Sequence, residues 1–323
     1  MKSVQLTLTL AMAVAAPLAQ AQDAPYPAQS VTLIVSSAAG GTTDMAARMI
    51  SDPLSKALGK PVVVDNRPGG SGAIAASVVK RAKPDGHTLL VQYSGYQVIT
   101  PHLIKAAFDP VRDFAPVANI LVAPQVMVVR PDLPIKTLPE LVGYARAHPG
   151  KLSYASSGNG SLQHVTGELI RQVAHVDITH VPYKGTGPAI TDLLGGNVDL
   201  TFTTAPPLIS HIKAGKLRPL AVTGSVALPA VPNVPTTSSI KGYEKIDVSS
   251  WFAVYAPAGT PKPVIDRLTG EIAKIMQSAD FKAKAEAQGA YAVYMNPREL
   301  ADYTSQQYQT WGKFVKDAKI TGE

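Results

Sequence analysis

Three short stretches combine small residues with hydroxyls directly before a helix-period segment: Ala38-Ala39-Gly40-Gly41-Thr42-Thr43-Asp44, Ser156-Ser157-Gly158-Asn159-Gly160-Ser161 and Lys184-Gly185-Thr186-Gly187. A helix start leaves backbone N–H groups unpaired at the positive end of its dipole, and glycine lets a ligand approach the chain closely. Each stretch therefore suits a carboxylate. Taken alone, each also suits a routine helix cap in which Thr42, Ser161 or Thr186 bonds its own backbone. Three of them, spread over two parts of the chain, favour a grip on opposite ends of one acid. The candidate contacts are Ala39, Gly40, Gly41, Thr42 and Thr43 from the first loop, Ser157, Asn159 and Ser161 from the second, and Thr186 from the third.

Other residues offer chemistry less directly. His164 follows Ser161 by three positions, so both face one side of a first helical turn, where His164 can donate to a carboxylate or simply pack. An i, i+3 pair is a poor Ser–His dyad, and neither a GxSxG elbow nor HExxH occurs, so the alternative of a hydrolase using Ser161 and His164 has little to rest on. In Val198-Asp199-Leu200-Thr201-Phe202-Thr203, alternation puts Asp199, Thr201 and Thr203 on one face. Asp199 and Thr203 are candidate contacts, although a structural bond from Asp199 to a neighbouring helix start is the stronger expectation. Asp44 sits in a first helical turn, where an acid is favoured for the dipole alone. Ser94, Tyr96 and Tyr183 fall at expected strand ends beside Tyr93, where tyrosines can stack on an aromatic ligand or pack a hinge. No nucleotide loop is present, because Lys184 precedes its glycines and Gly158-Asn159-Gly160 carries only half of a dinucleotide fingerprint. With no cysteine in the chain there is no thiol chemistry, no thiolate metal site and no disulfide framework, and no cofactor or metal is expected.

These loops need strands and helices to hold them. Short β-branched runs alternate with helix-period segments, the pattern of mainly parallel sheets flanked by helices. The first series is strand Val31–Val35, helix Thr42–Leu58 with a kink or restart expected at Pro53, strand Val62–Val64, helix Ala73–Ala82 and strand Thr88–Gln92. A second series, on a second sheet, runs through strand Val126–Val129, a capping box at Thr137-Leu138-Pro139-Glu140 opening a helix to Ala147, strand Leu152–Ala155, a helix from Ser161, strand His180–Tyr183, a helix stopped by Gly195, and strand Val198–Thr203. Strand Trp251–Tyr255 and helices over 261–277 and 297–319 read as a return to the first unit. The expectation is an α/β protein of two lobes with a ligand cleft between them: 22–122 plus 247–323 as lobe 1, 123–246 as lobe 2, and hinges near 120–125 and 240–250.

The chain has 323 residues and a formal charge of +7. Its start has the form of an export signal: Lys2, an apolar run from Leu6 to Ala16, and a small-x-small site at Ala19-Gln20-Ala21, with cleavage expected after Ala21. That run is shorter than the ~20 apolar residues a membrane span needs. A periplasmic protein is expected, a monomer of about two domains. The positive balance favours anionic partners but forms no basic run with interleaved aromatics, so nucleic acid is not among them.

From Tyr26-Pro27 nearly to the C-terminus the chain resembles the solute-binding proteins of tripartite tricarboxylate transporters, the Bordetella uptake gene family. Ala39-Gly40-Gly41 with Asp44 and Ala47-Arg48, Asp65-Asn66-Arg67-Pro68-Gly69, Pro84-Asp85-Gly86-His87-Thr88, Gly158-Asn159-Gly160-Ser161 with His164, His180-Val181-Pro182-Tyr183-Lys184-Gly185, Gly195-Gly196-Asn197-Val198-Asp199 and Ala256-Pro257-Ala258-Gly259-Thr260-Pro261 carry the resemblance by their order and spacing. It implies a type II periplasmic-binding-protein fold and a binding protein rather than an enzyme. It also implies a carboxylate held by the first loop's amides and ordered waters, with second-lobe hydroxyls completing the grip. By position this points to Gly40, Gly41, Thr42, Ser161, His164 and Thr186. The implied partner is a membrane permease; a sensor for a membrane kinase would use the same fold. One departure is Ser36-Ser37, where the family usually has proline and an aromatic. Ser36 thereby joins the candidate contacts, and an aromatic dicarboxylate such as terephthalate is favoured over citrate-like, C4-dicarboxylate, amino-acid or nicotinate-like ligands.

Overall fold

The computed structural model describes residues 26–244, 246–317 and 319–321; the export signal read from the sequence lies outside them. Strand β1 (Val31–Val35) leads into helix α1 (Thr42–Leu58), then β2 (Val62–Asn66), α2 (Ala73–Lys80) and β3 (Thr88–Tyr93). A single π-helical turn over Gly95–Ile99 and a short α3 (Thr100–Leu103) follow. Next come β4 (Phe114–Val129), α4 (Leu138–Ala147), β5 (Leu152–Ser156), α5 (Leu162–Ala174), β6 (Ile178–Pro182), α6 (Thr186–Leu194) and β7 (Leu200–Thr204). The chain ends with α7 (Ile209–Lys213), β8 (Arg218–Val222), β9 (Ser249–Pro257), α8 (Lys262–Gln277), α9 (Ala279–Ala287) and α10 (Pro297–Asp317).

The strands run in the order β2-β1-β3-β9-β4-β7-β5-β6, with β8 also on β4. β4 belongs to both halves of this path. From Phe114 to Pro124 it pairs antiparallel with β9, and from Gln125 to Val129 with β7 and β8. The two lobes are thus joined by one continuous strand rather than built on separate sheets, and the strand expected over only four residues spans 16. Its prolines explain the shortfall. Pro116 lies beside a break in register with β9, and Pro124 pairs at the very end of that ladder, positions where a missing N–H is tolerated.

Most boundaries follow local rules. The capping box forms, with Thr137 Oγ1 accepting from the Glu140 N–H at 3.2 Å while Glu140 accepts from the Lys136 N–H. Pro53 does not divide α1, which is one helix to Leu58; its ring removes a single N–H bond without ending the helix. β8 and α9 had no counterpart in the sequence expectations, and α9 owes its start to Ser278 accepting from the Phe281 N–H. Buried side chains form one large core spanning β1, β3, β4 and β9 and reaching α4 and α5, and a smaller one beneath α6 and α7. The strand ends pointing into the cleft carry the loops that begin α1, α5 and α6.

Candidate functional site

Where α1, α5 and α6 begin, Ser37, Thr42, Thr43, Tyr93, Tyr96, Ser157, Gln163, Thr186, Thr204, Ser250 and Phe252 enclose a cavity. Its free volume is about 10 Å³, room for about one water molecule. No acidic or basic side chain lines it. Favourable potential for an anion comes instead from three converging helix N-termini and from hydroxyl dipoles.

The first loop is held from outside. Asp44 Oδ2 accepts from the Gly40 N–H at 3.1 Å, and Oδ1 accepts from Asn66 Nδ2 at 3.1 Å and Arg48 Nε at 3.0 Å. Asn66 also donates to the Ser37 carbonyl at 2.9 Å. Asp44 is therefore scaffold, and the loop's inner wall is left to Ser37, Thr42 and Thr43. Ser36 and Ser37 are both buried, and neither hydroxyl has a partner; Ser37 lines the cavity, Ser36 backs it. Gly41 lies between Ser37 and Thr186. Ala39 and Gly40, placed in the site by sequence, are exposed, lie against Gly187 of α6 and do not line this cavity.

The lobes meet through hydroxyls. Thr42 does not cap its helix; its Oγ1 lies 2.5 Å from Thr204 Oγ1 across the cleft. Tyr93 OH accepts from the Leu162 N–H at 3.3 Å and stands 3.2 Å from Ser157 Oγ, while Tyr96 OH donates to the Ser157 carbonyl. Ser71 Oγ donates to the Asn159 carbonyl at 2.5 Å, and Thr100 Oγ1 to the Gly160 carbonyl at 3.1 Å. Tyr93 and Tyr96 meet edge-on at 4.5 Å, and Tyr93 stacks on Phe252 at 6.2 Å. Burial, the main cause, pushes the Tyr96 phenol up to about 12 and that of Tyr93 well above its ordinary value, so both keep their protons.

Several expected contacts turn out to be supports. Ser161 caps α5, its Oγ accepting from the His164 N–H at 3.2 Å. His164 turns its ring inward, where Nδ1 accepts from the Gly160 N–H at 3.3 Å, so Ser161 and His164 form no dyad. His164 stacks on His180 at 4.3 Å, and His180 on Tyr154 at 4.9 Å. His180 Nε2 lies 2.6 Å from Ser156 Oγ. Burial, with His164 and Arg171 adding, drives the His180 imidazole down to about 3, and burial also lowers His164. Two neutral histidines thus hold the Ser156–Gly160 loop from behind. Ser94 Oγ accepts from the Trp251 N–H behind the cavity, and Asn159 contributes only its carbonyl to the lobe contact. Thr203 supports Gln163 from the strand.

Tyr183 and Asp199 lie elsewhere. Tyr183 OH donates to Asp192 at 2.6 Å in an outer groove. Asp199 accepts from Arg130 Nε at 2.9 Å and the Ser153 N–H at 2.8 Å, four residues and roughly 13 Å along the strand from Thr203. Alternation says nothing about which end of a strand faces the cleft.

Gln163, Thr204, Ser250 and Phe252 line the cavity although they are not among the contacts expected from sequence, and Ser37 and Tyr93 line it beside the expected contacts Ser36 and Ser94. Gln163 lies in the first turn after Ser161, a local signal, whereas alternation puts Thr204 on the face opposite Thr201 and Thr203. Ser250 and Phe252 are placed by pairing with Ala123 and Leu121, which no local pattern reveals. Among the described residues no group of His, Asp or Glu could hold a metal ion, and no helix is long and apolar enough to cross a membrane.

The family model of the tripartite tricarboxylate transporter family receptor matches residues 46–320. The protein BugT of Bordetella pertussis is 34% identical over 294 residues, 90% of each chain. Among solved structures, Rpa4515 of R. palustris with adipate superposes with a TM-score of 0.88 at 36% identity, covering 92% of this chain and 99% of that one. MatC (Rpa3494) from Rhodopseudomonas palustris with bound malate gives a TM-score of 0.84 at 32% identity, covering 90% and 100%.

Proposed function

We propose that this chain, which belongs to the tripartite tricarboxylate transporter family of receptors, captures a small carboxylate between its lobes in the periplasm and delivers it to the membrane permease of such a transporter. The observation that carries this reading is the uncharged cleft, in which the starts of α1, α5 and α6 converge on Ser37, Thr42, Thr43 and Thr186. Backbone N–H groups and hydroxyls of this kind hold an anion without a buried countercharge. Neighbours bound to adipate and to malate support the same ligand class.

A cavity of about 10 Å³ is closed around nothing larger than a water, so a ligand enters by parting the lobes. The bonds it exchanges are those between hydroxyls, Thr42 with Thr204 and Tyr93 with Ser157. The bends this requires fall where β4 passes from β9 to β7, at Pro124–Gln125, and where β9 begins, at Ser249. We favour a dicarboxylate gripped at both ends. The rings of Tyr93, Tyr96 and Phe252 along one wall suit an aromatic one such as terephthalate.

Isothermal titration of refolded, ligand-free protein with adipate, malate and terephthalate tests this. The expected result is one site per chain, with a Kd of micromolar order or tighter and a preference for terephthalate if the aromatic wall is used. No heat and no thermal shift with any of the three would remove the reading.

A further inference from the structure

Building on the cleft reading above, we infer that Gln163 sets the ligand preference of the cleft by fixing Thr186 as a hydrogen donor toward a carboxylate. Gln163 is the second residue of α5, buried, and its amide touches four hydroxyls. Nε2 donates to Thr186 Oγ1 at 3.2 Å and to Thr203 Oγ1 at 3.0 Å, and Oε1 accepts from Ser157 Oγ at 2.8 Å and from Tyr93 OH at 3.4 Å. An amide has two N–H groups and a carbonyl with two lone pairs, so its capacity is filled. The Tyr93 oxygen already takes the Leu162 N–H. Its hydrogen must go elsewhere, and Gln163 Oε1 is in reach.

This arrangement decides which hydroxyls can donate to a ligand. Ser157 gives its hydrogen to Gln163, and Tyr93 gives its own to Gln163 Oε1 or to Ser157 Oγ, so neither is left for a ligand. Thr186 and Thr203 accept from it and keep their own hydrogens free. Only Thr186 of these two lines the cavity; it opens α6 and sits against Gly41, whose Cβ position would be 3.6 Å from Thr186 Cβ. A free hydroxyl hydrogen and the N-termini of α1 and α6 therefore face the same small space. A carboxylate oxygen, which only accepts, fits there, whereas an amide N–H placed at the same point would meet the Thr186 hydrogen and the helix N–H groups. With no charged side chain in the cavity, hydroxyl direction adds to the helix N-termini in telling an acid from its neutral analogue.

The test compares adipate, malate and terephthalate with their primary amides by calorimetry on the wild type, Gln163→Glu and Gln163→Met. A glutamate at this position only accepts, so Thr186 turns its hydrogen away from the ligand and the cleft gains negative charge. The wild type is expected to prefer acid over amide by about a hundredfold or more, and Gln163→Glu to lose at least about tenfold of that ratio. The deficit shrinks as the pH is lowered and the introduced carboxyl protonates. Gln163→Met weakens acid binding while leaving the amides unchanged. If Gln163→Glu keeps the wild-type ratio, or loses affinity for acid and amide equally, the role of Gln163 is overturned while the cleft reading stands. Failure of the wild type to bind any of the three acids overturns both.

Discussion

Ser37 carries a buried hydroxyl with no partner in the closed molecule, a cost of about 1–3 kcal/mol that an alanine would not incur. Ser37→Ala is therefore expected to leave the empty protein as stable as before, or more so by about 1 kcal/mol, while weakening carboxylate binding about tenfold. Chemical unfolding and calorimetry on the same preparation check both halves, and undiminished affinity would remove Ser37 from the site. The histidine pair makes a second prediction. His180 is held down to about 3 and His164 is also lowered, so above the ordinary value of about 6.5 both are neutral whether folded or not. Below it the unfolded chain takes up protons that the folded chain refuses. The pair's contribution should be flat above that value and fall below it, for His180 by up to about 1.4 kcal/mol per pH unit as the pH drops toward 3, with His164 adding in the same direction. Urea midpoints across that range should show a shallower slope in His180→Asn; an unchanged slope would mean that His180 titrates normally in the fold.

At the level of elements, the parts that obey local rules were legible and the shared strand was not. α4 begins where its Thr-x-x-Glu motif says it should, and Thr137→Ala is expected to cost about 1 kcal/mol through the lost cap. Being remote from the cleft, it should leave ligand affinity untouched, so a midpoint shift measured with and without ligand tests both claims. β4 is the opposite case. Pro116 and Pro124 mask it from a reader looking for unbroken β-branched runs, yet its pairing with β9 carries it through the proline positions. The π-turn that aims Tyr96 at the cleft was equally hidden. It depends on Gly72, whose φ of +84° and missing Cβ leave room for the Tyr96 ring 2.6 Å from where that Cβ would stand.

For the whole molecule, closure depends on backbone meeting backbone across the cleft. Gly187, in the first turn of α6, has no Cβ, and one built there would meet the Ala39 carbonyl oxygen at 2.5 Å. Helical geometry at this position accepts alanine, so Gly187→Ala should keep α6 but prop the lobes apart. We expect at least a tenfold loss of carboxylate affinity, about 1.4 kcal/mol, with a larger radius of gyration by solution scattering in saturating ligand than the wild type shows. Equal radii and equal affinities would mean that the lobes do not close as described.

The sequence by itself determined the α/β class, the family, and the three loops that begin α1, α5 and α6. Helix starts, caps and strand alternation are written within a few neighbouring residues. Only the tertiary structure decided which residues of those loops face the cavity. Ala39 and Gly40 meet Gly187 across the cleft instead of lining the cavity, Asp199 sits at the wrong end of its strand, and Ser161 and His164 work behind the wall. Gln163, Ser250 and Phe252 are brought in by contacts with residues far away in sequence. A side chain's type fixes what it can bond, but the pairing of distant strands fixes where it points.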